Sequence, residues 1–144
     1  MTSTSRIVEE ARALLGAPFK HRGRSARGID CVGLPIVIGW SLGLHSYEDE
    51  VEYTRQSNGH TLLKPFLEHC ERLSNPALHQ DGDILILKDR FYPHHTAIRA
   101  SNGEMTTLIH ACVHRGLVVE DPFTDEWRSK LMTVFRFRGI SPCQ

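Results

Sequence analysis

A chain of 144 residues is expected to form a single domain over 1–144, large enough to bury a core without a metal or disulfide staple. Lys and Arg number 17 and so do Asp and Glu, so the overall basic field of a non-specific nucleic-acid binder is excluded. No apolar run approaches the roughly 18 residues of a membrane span, and Met1 to Arg6 leads into an amphipathic segment with no apolar signal core, so synthesis in the cytoplasm without a signal peptide and no membrane partner are expected.

Nine histidines are the compositional oddity, offering bases or metal ligands near neutral pH. The four cysteines, Cys31, Cys70, Cys112 and Cys143, form no CxxC pair, which argues against a zinc knuckle, a redox dithiol or a secreted disulfide framework. No cofactor is expected.

Ile7, Ala11, Leu14 and Leu15 share one helical face, with Ser3 to Ser5 as caps and Gly16 as the stop, predicting a helix over about 5–15. Residues 17–28, rich in glycine and cations (Lys20, Arg22, Arg24, Arg27), read as a long loop able to meet carboxylates or phosphates. From Cys31 to Leu44 the chain is apolar almost all round, as in a buried helix, and Pro35 requires that helix to start close to Cys31 or kink. Residues 45–58 read as a polar loop with a short extended piece at Val51 to Tyr53, and Leu62, Leu63, Phe66, Leu67 and Cys70 predict a helix over 59–73. Short apolar or alternating runs follow at 83–87, 95–99, 105–110 and 117–119, then a brief helix at 127–131 and a closing strand at 132–138. Helices first and strands afterwards predict an α+β domain with its helices packed on one face of an antiparallel sheet.

Cys31 is the candidate nucleophile. Asp30 is placed to cap the helix, and the unpaired N–H groups of a helix start would lower the thiol pKa. The hairpin signal Asn102-Gly103 supplies its partners. With those two residues as the loop, Ser101 faces Glu104 and His95 lies directly opposite His110, on one face of the sheet. Two imidazoles so placed suit a base and its orienter, completing a Cys-His-His arrangement.

The ordered set Leu15-Gly16-Ala17-Pro18-Phe19, Gly23, Asp30-Cys31-Val32-Gly33-Leu34, Gly82-Asp83-Ile84-Leu85, His95-Thr96-Ala97-Ile98 and Ile109-His110-Ala111 resembles the marks of NlpC-type bacterial cell-wall cysteine peptidases over about residues 5–138. Val118-Val119-Glu120, Trp127, Arg128 and Phe135-Arg136-Phe137 are most similar to the small proteins encoded among tail-assembly genes of bacteriophages and gene-transfer agents. The resemblance implies a papain-like fold and hydrolysis of amide bonds in peptidoglycan stem peptides, after γ-D-glutamyl toward the diamino acid. It implies Cys31 as nucleophile, His95 as general base and His110 as orienter. It also implies phage tail-tip proteins as partners and a site of action in the periplasm or cell wall.

Phe19 stands where the family usually has a tyrosine whose hydroxyl helps hold the oxyanion, a loss worth a few kcal/mol of barrier unless another donor replaces it. The Cys31 N–H with Ser25 or His21 are the candidate replacements. Phe19, His21, Ser25 and Asp30 are accordingly the expected substrate-side residues. Two other readings stay open at this point. One is a non-enzymatic tail-assembly module on the same fold. The other is a zinc hydrolase using His110, Cys112 and His114, which alternate along the chain, with His95 or Asp121.

Overall fold

The computed structural model describes residues 2–44, 60–89 and 92–140. The predicted loop at 45–58 and its extended piece at Val51 to Tyr53 lie outside the described residues.

Helix α1 spans Thr4–Ala13, where Ser3 caps it by accepting the Arg6 N–H, and it ends into a turn at Gly16 with φ 87°. It buries Ile7, Val8 and Ala11. The segment expected as plain loop contains a small hairpin, β1 (Arg24–Ser25) with β2 (Gly28–Ile29). Two-residue strands are too short for alternation to reveal. Helix α2 covers Gly33–Ser41, so Pro35 falls in its first turn, where proline's missing N–H is no loss. Ile36 and Ile38 are fully buried, as the all-round apolar pattern requires.

Helix α3 (His60–His69) is shorter than predicted, because Cys70–Arg72 leaves it as strand β3. Cys70 is therefore a core residue, as expected, but on a strand paired with Phe137 and not on the helix. Three residues cannot signal a strand by themselves, and the pairing that fixes them lies at the far end of the chain.

The remaining strands are β4 (Ile84–Asp89), β5 (Tyr92–Asn102), β6 (Met105–Cys112), β7 (Leu117–Pro122) and β8 (Leu131–Phe137), with helix α4 (Asp125–Ser129) between the last two. With β3 they form a six-stranded antiparallel sheet in the order β3-β8-β4-β5-β6-β7. Central strand β4 reads Ile-Leu-Ile-Leu because both its faces are covered. Ile84 and Ile86 join Ile98, Ile109 and Phe135 in the large core under α1, α2 and α3. Leu85 and Leu87 join Ala97, Leu108, Phe123 and Val134 in a smaller cluster on the opposite face, against which Trp127 of α4 packs. The expected helices on one face of an antiparallel sheet are thus present, with the short α4 added on the other.

Asp83 ties β4 to β8. It is 1% exposed and takes both arms of Arg136, at 2.8 and 2.9 Å, plus the Gln80 N–H. Such fork-to-fork geometry fixes a register as well as neutralising the buried charge. Among the described residues no helix is long and apolar enough to cross a membrane.

Candidate active site

The site begins with a buried carboxylate. Asp30 Oδ1 accepts the Gly33 N–H at 2.8 Å and Arg24 Nη1 at 2.9 Å, while Oδ2 accepts the Arg22 N–H at 2.8 Å. The expected capping role of Asp30 is therefore present, exercised from three residues before the donor it satisfies, and the same carboxylate folds the cationic loop around itself. That loop is compact. A Cβ on Gly23 would stand 2.2 Å from the Gly28 carbonyl oxygen, and one on Gly33 2.5 Å from the Gly23 oxygen, so only glycine fits at either position. Arg22 is held at φ 62°, the left-handed region, with its amide locked on Asp30.

Cys31 follows directly and meets β5. The ladder between β5 and β6 runs from Asn102–Met105 back to Ile98–Ile109. Beyond it the Thr96 hydroxyl donates to the Cys31 carbonyl, and the Thr96 and Val32 backbone amides reach the Cys31 thiol. The cysteine thus occupies the gap where β6 leaves β5, and the next residue along β5 is His95.

The expectation that the helix start lowers the thiol pKa is corrected. Burial, and after it the charge of Asp30, push the Cys31 thiol up to about 12, against the opposing effect of the Thr96 and Val32 donors. The residue keeps partial exposure, yet the sulfur is packed closely enough for desolvation to dominate. The helix donor that would have favoured a thiolate, the Gly33 N–H, is taken by Asp30.

The hairpin loop is also corrected. Asn102 pairs with Met105, so Gly103 and Glu104 form the turn, and positive φ falls on Gly103 alone, at 63°. This is the placement of a turn with glycine first, not the Asn-Gly form that was expected. The register moves by two residues, which preserves the face: Ile98 opposes Ile109, and His95 lies diagonally from His110 rather than directly across. The two rings still meet, with His95 Nε2 2.8 Å from His110 Nδ1 and planes crossed at 82°.

His110 is 2% exposed, and its Nε2 lies 2.7 Å from Asp121 Oδ2. The same Asp121 oxygen accepts Arg115 Nη2. Burial alone would push the Asp121 carboxyl up, but the bonds from Arg115 and His110 outweigh it and hold the carboxyl below its usual range. Burial also lowers the His110 pKa, despite the Asp121 bond, so His110 is neutral.

Protons then follow from acceptors. An ionised carboxylate can only accept, so His110 carries its proton on Nε2 and presents a lone pair at Nδ1. That lone pair must take the Nε2–H of His95, which leaves the basic nitrogen of neutral His95 at Nδ1. The chain Asp121–His110–His95 ends in one free base.

Asp121 and Trp127 are site residues that the sequence reading missed. Val119 pairs with His110 across β6 and β7, so Asp121, two residues on, lies on the face of His110 once that register is known. The signal was the Arg115-Gly116 turn between the two strands. Trp127 stacks on His95 at 6.0 Å with planes 24° apart, and stands edge-on to His110 at 5.4 Å.

The other expected residues fall in different places. Phe19 packs against the core cluster that Cys31 also joins, and its amide donates to the Gly116 carbonyl. His21 is half-buried in the turn before Gly23. Ser25 is exposed on the small hairpin, where its hydroxyl accepts the Arg27 N–H. The metal reading loses its geometry: His114 lies exposed in the turn after β6 and not on the strand face of His110 and Cys112. Among the described residues no three His, Cys, Asp or Glu converge on a metal position.

A sheet with a cysteine-bearing helix start at a strand gap and imidazoles on the adjoining strands is the NlpC/p60 architecture. The NlpC/p60 domain of the peptidoglycan hydrolase SagA superposes with a TM-score of 0.63 at 19% identity, over 94% of this chain and 100% of that one. An NlpC/P60 family protein from Bacillus cereus gives 0.68 at 21% identity, over 94% of this chain and 40% of that one. A lipoprotein-like NLP/P60 protein from Staphylococcus aureus gives 0.65 at 18%, over 93% and 41%. The chain thus spans under half the length of the latter two. No protein-family profile and no curated protein matches the sequence.

Proposed function

We propose that the protein is a cysteine peptidase or amidase that hydrolyses amide bonds in peptidoglycan stem peptides, between γ-D-glutamyl and the diamino acid. The observation that carries this reading is the Asp121–His110–His95 chain ending beside Cys31, on the fold of a peptidoglycan hydrolase domain. In it, His95 Nδ1 takes the Cys31 proton as sulfur attacks the carbonyl, His110 holds the far nitrogen of His95, and Asp121 holds His110. Sulfur forms the thioester, the proton passes to the leaving amine, and water then releases the acid. The Cys31 main-chain N–H is the proposed oxyanion donor. A resting thiol pushed up to about 12 supports proton removal in step with attack, rather than a standing thiolate.

The closing Trp127, Arg128 and Phe135 to Phe137 support placing the enzyme with phage tails, with tail-tip proteins as partners and delivery to the periplasm or cell wall. Purified enzyme and Cys31→Ala, incubated with a defined stem peptide and weighed by mass spectrometry, test the reading. Release of the diamino-acid fragment is expected from the first and none from the second, with melting temperatures matched. Equal release by the variant would overturn it.

Phe19 favours one second reading, a tail-assembly module with an idle site, because its ring offers no hydroxyl. Iodoacetamide separates the two. An active site alkylates Cys31 ahead of half-exposed Cys112 and buried Cys70, whose thiol burial also pushes up to about 12. An idle site shows no such preference.

A further inference from the structure

The hydrogen bond between His95 Nε2 and His110 Nδ1 fixes one atom of the His95 ring but leaves the ring free to rock about that contact. What remains unset is the direction of Nδ1, the atom that the tautomer chain leaves as the base. The indole of Trp127 supplies that second restraint. It lies nearly parallel to His95, 24° at 6.0 Å, and its relation to His110 is edge-on, 76° at 5.4 Å, so it fits the corner made by the two crossed rings. Both are favourable aromatic arrangements.

The indole is itself held. Thr124 Oγ1 accepts the Trp127 N–H of α4, the Trp127 carbonyl accepts the Lys130 N–H, and the Lys130 carbonyl accepts Lys88 of β4 at 2.8 Å. Its ring packs on the Leu85, Leu87 and Leu108 cluster and carries Lys130 Nζ 5.3 Å from its centroid. The segment from Asp121 to Trp127 therefore grips the imidazole pair twice, at the far nitrogen of His110 and across the plane of His95.

We propose that Trp127 is a positioning residue that sets the plane of His95, and hence the aim of Nδ1 at Cys31, through its flat ring face. The proposal rests on the peptidase reading for its kinetic consequence alone. Trp127→Leu keeps apolar bulk against the cluster without the flat face, and Trp127→Phe keeps a face. Two readouts apply to both variants: kcat and KM on the stem peptide, and the slowly exchanging imidazole N–H protons of His95 and His110 in proton NMR at low temperature.

Misaiming a base by about an ångström can cost on the order of 100-fold. Trp127→Leu is expected to lower kcat by about that factor with KM little changed and to lose the His95 N–H signal, and Trp127→Phe to recover most of both. Wild-type kcat in Trp127→Leu, or a lost kcat with the His95 signal intact, would overturn the proposal. If the wild type shows no turnover, the peptidase reading fails, and the NMR signals still decide the role of Trp127: loss in Leu with retention in Phe supports it, and retention in both overturns it.

Discussion

The two halves of the site are held in different ways. The Cys31 half is a crossing of backbone segments around one buried carboxylate, in which Gly23 and Gly33 leave no room for a single added carbon. The imidazole half is a β-ladder whose register could move by two residues between the expected and observed hairpins and still bring His95 to His110. A period-2 structure tolerates even slips because each returns the same face. A packed crossing has no such period, so its tolerance is set by individual atoms. The difference predicts that changes in the first half are felt as stability and those in the second as activity and protonation.

Asp30→Ala should give the largest effect. It removes the acceptor of two amides and the partner of Arg24, whose side chain is 14% exposed beside a carboxylate 3% exposed. Breaking a buried pair by deleting one partner costs about 3–5 kcal/mol. The midpoint of urea unfolding should fall accordingly, and a loss below about 1 kcal/mol would mean that the crossing is held by its glycines and not by the carboxylate.

His110 sharpens the contrast through pH. Burial, outweighing Asp121, lowers its folded pKa below the ordinary 6.5, and burial lowers that of His79 likewise. The unfolded chain then takes up these protons first. Stability is therefore full above about pH 6.5 and declines as pH falls through that value toward the depressed ones. Asp121, depressed in the opposite sense, adds stability that is kept through this window and lost only below the usual carboxylate range. His110→Asn should flatten the decline of unfolding free energy between pH 6.5 and 5 by up to about 1.4 kcal/mol per pH unit, the slope of one proton. An unchanged slope would show that His110 takes up its proton in the folded protein as readily as in the unfolded one.

How much of this was legible in the sequence divides along the same line. Strand faces were readable because alternation is local: His95, His110 and the Ile-Leu-Ile-Leu run of β4 carry their sidedness in their spacing. The turn was misplaced by one position because Asn102-Gly103 and Gly103-Glu104 both offer a glycine, and the choice depends on which φ the strands' twist requires. Cys70 was read onto α3 because its pairing with Phe137 is a contact 67 positions away, which no window along the chain can contain. The thiol was misjudged because a helix start was credited with free donors, although Asp30, in plain view, had already claimed one. Asp121 lay hidden until the β6–β7 register put it on the face of His110.

The smallest effect is expected at the outer end of the imidazole chain. Arg115 is exposed, and its guanidinium shares the Asp121 oxygen that His110 uses. Arg115→Gln should therefore leave the melting temperature nearly unchanged, as surface ion pairs contribute little. Its charge also opposes protonation of His110, although burial is the larger cause of the lowered pKa. Removing it should shift the His110 titration upward in a pH series of imidazole NMR spectra, while the unshared Asp121 oxygen keeps the ring in place. A downward shift would mean that Arg115 serves chiefly to orient Asp121 toward His110, so that the β7 end of the chain depends on single atoms as much as the Cys31 crossing does.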